Sequence, residues 1–122
     1  MGWLFWPSWQ GLRWPRRCDM NTEMLKVTVY INEADQWRHR PLHLEVLRML
    51  HEQGLAGATV LHAVAGFTNQ GRVETTSLVD AGGKLPLVIE FIDSADKVDR
   101  VMPFLKEMVG RRLIVRQRVE IV

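Results

Sequence analysis

The chain has 122 residues, 47% of them hydrophobic and 25% charged, which is the size and balance of one globular domain and too short for two. Its single cysteine, Cys18, excludes an intramolecular disulfide framework, so the fold must rest on a hydrophobic core. The formal charge of +2 is concentrated at one end: Arg13, Arg16 and Arg17 stand against Asp19 in residues 1–22, whereas residues 23–122 carry equal numbers of basic and acidic side chains. A broad basic surface for nucleic acid is therefore excluded on the body of the protein.

Residues 1–22 contain four of the five tryptophans (Trp3, Trp6, Trp9, Trp14), and Gly2, Pro7, Gly11 and Pro15 interrupt any helix. No apolar run approaches the roughly 18 residues that span a bilayer, and the arginines come last, the reverse of a secretory signal. The segment reads as a disordered extension over residues 1–23, with Met20 and Met24 available as later starts.

Patterned sequence begins at Leu25. Leu25, Val27, Val29 and Ile31 alternate with Lys26, Thr28, Tyr30 and Asn32, which predicts a half-buried strand. After a polar stretch, Pro41 sits where a helix start tolerates it, and Leu42, Val46, Met49, Leu50 and Gln53 repeat at helical spacing up to Gly54. Leu55 then fits the hydrophobic contact of a glycine C-cap.

The short uncharged run from Ala58 to Ala65 reads as a strand buried on both faces, with His62 a hydrogen-bonded core or interface residue. Residues 67–84 follow as a long polar loop containing Gly71, Gly82 and Gly83; loops of this length in compact domains are usually binding loops or lids.

Leu85 to Asp93 predicts a third strand, with Leu87, Ile89 and Phe91 on one face and Val88, Glu90 and Ile92 on the other. Glu90 needs a cationic partner there, and Arg116 and Arg118 are the candidates. Ser94 is a natural N-cap for a second helix that runs to Gly110, with Pro103 inside it at a cost of about 3 kcal/mol unless the helix kinks. Leu113 to Val122 alternates again as a fourth strand.

The order βαββαβ predicts an α+β, ferredoxin-like sandwich: a four-stranded antiparallel sheet with two helices on one face. Tyr30, Val88 and Ile92 would leave the opposite face partly apolar, which points to self-association.

No catalytic constellation accompanies this frame. His39 and His43 have i, i+4 spacing, but Pro41 starts the helix after His39 and no cysteine or carboxylate cluster completes a metal site, so no metal is expected. Thr75, Thr76, Ser77 and Asp80 lack an activating base. There is no phosphate-binding P-loop, dinucleotide fingerprint or nucleophile elbow. An RNA-recognition module would need aromatics sharing one sheet face, whereas Tyr30 and Phe91 fall on opposite faces. An acylphosphatase-type loop would need glycines and an arginine where Glu33, Ala34 and Asp35 stand.

The run Gly54-Leu-Ala-Gly-Ala-Thr-Val-Leu-His-Ala-Val-Ala-Gly-Phe67, the helix start Arg40-Pro-Leu42, the strand Leu85-Pro-Leu-Val-Ile-Glu-Phe-Ile-Asp93 and the helix end Met108-Val109-Gly110 resemble the uncharacterised PII-like family called domain of unknown function 190. The resemblance covers residues 24–122 and implies the homotrimer of the nitrogen regulatory PII superfamily, whose members sense small molecules and switch partner proteins.

Well-studied members bind adenine nucleotides between subunits at the base of the long loop. The matching positions are Thr59, Gly66, Phe67, Thr68, Asn69, Gly71 and Arg72. Their glycine-rich phosphate loop before the fourth strand is replaced by Gly110-Arg111-Arg112, so Arg111 and Arg112 are the candidates for phosphate contacts. The modified tyrosine of some members has no equivalent between Phe67 and Lys84.

The resemblance therefore implies a cytoplasmic, non-enzymatic signalling protein with an adenine nucleotide as candidate effector and a loop over 67–84 that is mobile until it meets effector or target. Because family members are often encoded beside a fluoride channel, a membrane transporter or channel is the implied partner, without nucleic acid and without insertion into the membrane. The alternative is a ligand-free, small oligomeric interaction module.

Overall fold

The computed structural model describes residues 22–68, 71, 73–75 and 84–122. The expectations for the leader, for most of loop 67–84, and for Asn69 and Arg72 lie outside the described residues.

Four strands form the main sheet: β1 (Met24–Asn32), β4 (Ala58–His62), β7 (Pro86–Ser94) and β8 (Ile114–Val119). They are arranged β4-β7-β1-β8 with every neighbouring pair antiparallel. Helices α1 (Leu42–Glu52) and α2 (Ala95–Val109) complete the predicted ferredoxin-like α+β order. Two short ribbons are added, one from β2 (Gln36–Trp37) and β3 (Arg40–Pro41), the other from β5 (Ala65–Gly66) and β6 (Glu74–Thr75).

The alternation read in β1 is what builds the core. Val27, Val29 and Ile31 lie beside Phe91, Ile89 and Leu87 of β7 in register, and all six are essentially inaccessible. Leu42, Val46 and Leu50 of α1 and Val98, Val101, Leu105 and Val109 of α2 close over them. At about 25 cal/mol per Å² of apolar surface removed from water, this layer is the main source of stability.

Both helix ends are chemically specified. Pro41 occupies the N-cap of α1, one residue outside the expected first turn. At the other end Gly54 takes a left-handed φ of 81°. The Gly54 N–H donates to His51 O and the Leu55 N–H to Leu50 O, the paired bonds of a Schellman cap, and Leu55 is buried as expected. Ser94 Oγ accepts the Lys97 N–H at 3.4 Å to start α2. Pro103 lies within α2 on its exposed side.

Three expectations are corrected. The run from Ala58 to Ala65 is not a doubly buried strand: β4 is an edge strand that stops at His62, with Ala58, Thr59, Leu61 and His62 exposed, because no helix covers that edge fully. The end of the run turns away, and Ala65 pairs with Thr75 and the following Gly66 with Glu74 instead. Glu90 does not use Arg116 or Arg118; its partner is Lys26 on the adjacent β1, 3.4 Å away, while Arg116 pairs with Asp99 and Arg118 with Glu23.

Among the described residues, no element covers the sheet face away from the helices. In register, Leu61, Val88 and Tyr30 form one row across β4, β7 and β1, and the Tyr30 N–H donates to Leu113 O, extending the row toward β8. Thr59, Glu90, Thr28 and Val115 form the next. Tyr30, Leu61, Leu113 and Val115 are each 41–58% exposed.

Candidate functional site at the root of the long loop

The end of β1 organises the place where the long loop leaves and rejoins the sheet. Asn32 begins a tight turn: its Oδ1 accepts the Ala34 N–H, its carbonyl accepts the Asp35 N–H, and its own N–H donates to Asp35 Oδ2. Asn32 Nδ2 also reaches Lys84 O at 3.3 Å. The turn thereby fixes Glu33 and Asp35, whose carboxylates serve two separate clusters.

Glu33 closes the neck of the loop. Its Oε1 accepts the Leu85 N–H at 2.9 Å, and its Oε2 lies 2.8 Å from His62 Nε2. One carboxylate thus joins the end of β4 to the residue at which the chain returns. The Leu85 N–H is the main reason that the Glu33 carboxyl sits below its ordinary value of 4.5; burial opposes this, and the His62 hydrogen bond and charge, with Lys84, add to the lowering. His62 is therefore hydrogen-bonded as expected, but as an exposed edge residue with a carboxylate partner; of the two expected placements, core or interface, the core is excluded.

The depressed value fixes the sign of an acid effect. A carboxylate whose pKa is lower in the folded protein stabilises the fold above its ordinary pKa, and that contribution disappears as pH falls through the folded value. Thermal melts of wild type should therefore steepen downward below about pH 4.5. Glu33→Gln, which keeps an acceptor for Leu85, should lose less stability over the same interval; an identical acid limb in the variant would refute the role of Glu33.

Asp35 forms the second cluster. Its Oδ2 receives Arg112 Nε at 2.9 Å and its Oδ1 receives Arg112 Nη2 at 3.0 Å, a two-pronged ion pair, while Arg112 Nη1 donates to Val109 O. Gly110, with φ of 61°, makes the turn that brings Arg112 back against the end of α2. Together with Tyr30, Ile31, Leu113 and Thr68, the pair lines a pocket of about 90 Å³. That is room for about three waters at roughly 30 Å³ each, or a small anion.

The loop enters this region under tight backbone control. A side chain at Gly66 would place a Cβ 3.2 Å from Pro86 Cγ, so the close approach of β5 to β7 favours glycine. Thr68 O then accepts the Gly71 N–H at 2.8 Å in a turn.

Of the sequence-derived candidates, Thr68 and Arg112 share the pocket, with Gly66, Phe67 and Gly71 in the same chain segment as Thr68. Phe67 and Arg111 are exposed, and Arg111 has no partner among the described residues. Thr59 is elsewhere: it lies on the uncovered face beside Gly57, Ala58, Glu90 and Ile92, in a separate open depression of about 250 Å³. Glu33, Asp35 and Tyr30 were not among the candidates. The Asn32-Glu-Ala-Asp35 turn pattern carries the signal for the two carboxylates, whereas their partners Leu85, His62 and Arg112 are fixed only by the fold. Among the described residues no three His, Cys, Asp or Glu side chains gather as a metal site.

Comparison with known proteins decides the family. The model of the family described as "Uncharacterized ACR, COG1993" matches residues 24–121, nearly all of the patterned body. The chain belongs to this PII-like family. A UPF0166 protein of Aquifex aeolicus is 31% identical over 96 residues, covering 77% of this chain and 89% of the relative. UPF0166 protein MJ1524 of Methanocaldococcus jannaschii is 27% identical over 81 residues, covering 66% and 74%. Among solved structures, the de novo designed protein Foldit4 has a TM-score of 0.42 at 10% identity over 82% of this chain and 98% of its own, a likeness too low to bear on function. In this PII-like chain the matched region includes the Asn32–Asp35 turn, the loop root and Arg112, and excludes residues 1–23. No helix among the described residues is long and apolar enough to cross a membrane.

Proposed function

We propose that the chain is a non-enzymatic PII-like regulatory protein that assembles as a homotrimer, senses a small molecule between subunits and signals through loop 67–84. The observation that carries the reading is the uncovered sheet face. An apolar row running from Leu61 through Val88 and Tyr30 to Leu113, with Val115 and Ile92 nearby, spans the sheet and is half exposed in the single chain. Apolar area of that continuity favours a partner surface, and a second copy supplies one of matching character.

Tyr30 and Leu113 belong both to this face and to the pocket holding Thr68 and Arg112. A subunit docked on the face would add a wall to a pocket that is too small within one chain for a nucleotide. An adenine nucleotide is the proposed effector, with Arg111, which has no partner among the described residues, offered to its phosphates and Arg112 available only if the anion competes with Asp35. Contacts at Gly66 to Gly71 would then bias the loop between arrangements, changing how it docks on a membrane transporter or channel from the cytoplasmic side.

Calorimetric titration of the purified protein with ATP, ADP and cyclic AMP at millimolar concentration tests the sensing step. Binding heat that falls when Arg111→Gln is introduced is the expected result. An absence of heat with all three would remove nucleotide sensing and leave the ligand-free interaction module.

A further inference from the structure

The β2–β3 ribbon between the first strand and α1 plays no part in the loop root's clasp or in the uncovered face. Gln36 pairs with Pro41 and Trp37 with Arg40, so Arg38 and His39 are the two residues of the connecting turn. Both have left-handed backbones, φ 51° and 66°. Two consecutive left-handed residues make the mirror-image turn that asparagine and glycine adopt cheaply and that a long side chain such as arginine adopts under strain. Arg38 brings a guanidinium to the turn and His39 an imidazole, and both are exposed.

The surroundings concentrate that charge. The Arg38 guanidinium carbon lies 5.1 Å from the centre of the Trp37 ring, which holds the flat fork against an aromatic surface. Arg40 and Arg48 are 61% and 57% exposed and share one carboxylate, the mostly covered Glu45, at 3.6 and 3.9 Å. Three guanidiniums and an imidazole are thus set against a single acid, on a body whose total charge is zero.

We propose that this hairpin is a docking tip for an acidic peptide segment of a partner protein. Guanidinium forks accept carboxylates in two-pronged fashion, and Trp37 removes part of the freedom that Arg38 would otherwise lose on binding. The patch is local: polyanions such as nucleic acid or an anionic membrane are captured by a wide basic field, which a neutral body does not provide. The strain at Arg38 is the cost of placing a guanidinium at the tip.

The test uses the full chain and a fluorescein-labelled short polyglutamate peptide, read by anisotropy at low and physiological salt. Arg38→Asn combined with His39→Gly removes the guanidinium and the imidazole while giving the turn its preferred residues. The expected result is a pairing of opposite effects: a melting temperature higher by about 4–8 °C and an affinity weaker by about tenfold or more, equivalent to the loss of one charge-assisted contact.

Unchanged peptide affinity in that variant would overturn the proposal. So would binding that is lost on replacing Arg13, Arg16 and Arg17 with glutamine while surviving the hairpin change, since the leader would then be the anion site. Tighter binding to phosphatidylglycerol vesicles or single-stranded DNA than to the peptide, abolished by the same hairpin change, would reassign the partner and overturn the acidic-peptide assignment.

Discussion

A single carboxylate placed in the uncovered sheet face, as Leu61→Glu or Val115→Glu, is expected to convert the proposed trimer into monomers. Both side chains are more than two-fifths exposed in the isolated chain, so the subunit can carry a charge there without unfolding. In the assembly the same carboxylate would be removed from water with no cation to meet it. Lys26 is already paired with Glu90, and the remaining neighbours in the rows are Thr28, Tyr30, Thr59, Val88 and Leu113, none of them a cation. The effective cost of burying an unpaired ion is several kcal/mol, and symmetry repeats it in every subunit.

Multi-angle light scattering should therefore show wild type at about three times the 14.1 kDa chain mass and each variant at about one. Circular dichroism should remain unchanged, which separates loss of assembly from loss of fold. A wild-type monomer would remove the trimer itself. A variant that stays trimeric would mean that the subunits meet through another face.

The fold was legible because period-two and helical patterns coincide with burial. Leu25, Val27, Val29 and Ile31 had to share a face by alternation, and β7 repeats the arrangement with Leu87, Ile89 and Phe91. Ser94 and Gly54 mark helix ends through hydrogen bonds made within a few residues, so local sequence suffices to place them. The run from Ala58 to Ala65 misled for the complementary reason. A short uncharged segment has the same composition in a central strand as in an edge strand, and only the strand order puts β4 at the edge.

The site was less legible because its bonds cross long stretches of chain. Asp35 meets Arg112 across 77 residues, and Glu33 meets Leu85 across 52 and His62 across 29. Glu33 and Asp35 look like ordinary turn carboxylates until the sheet brings those partners to them. Glu90 illustrates the same limit at shorter range. Arginines on the fourth strand were reasonable partners by charge, yet the register sets Glu90 opposite Thr28, and Lys26, two residues along the same strand face, reaches it first. The Arg38–His39 turn left no sequence signal, since it lacks the glycine or asparagine that normally marks such a connection.

Phe91→Ala is expected to have the largest effect on stability of any single truncation in the sheet. Phe91 is the largest of the fully buried side chains, 2% exposed, with Val27 across the strand pair on one side and Ala58 on the other. Ala58 is too small to fill the space that the ring would vacate, and a close-packed core of valines and leucines relaxes only partly. Removal of a buried phenylalanine ring costs about 3–5 kcal/mol, against about 5–15 kcal/mol for the whole stability of a typical domain. The melting temperature should fall on the order of 20 °C.

The same geometry separates two functional classes. A sheet that stacks nucleic-acid bases presents its aromatics outward, and substitution there weakens binding while sparing the fold. Here Phe91 points into the helix layer and Tyr30 alone of the two is exposed, so Phe91→Ala should act on folding and Tyr30→Ala on the uncovered face. Chemical denaturation of both variants checks this directly. A Phe91→Ala protein as stable as wild type would place the ring outside the core and reverse the assignment of sheet faces on which the interface argument depends.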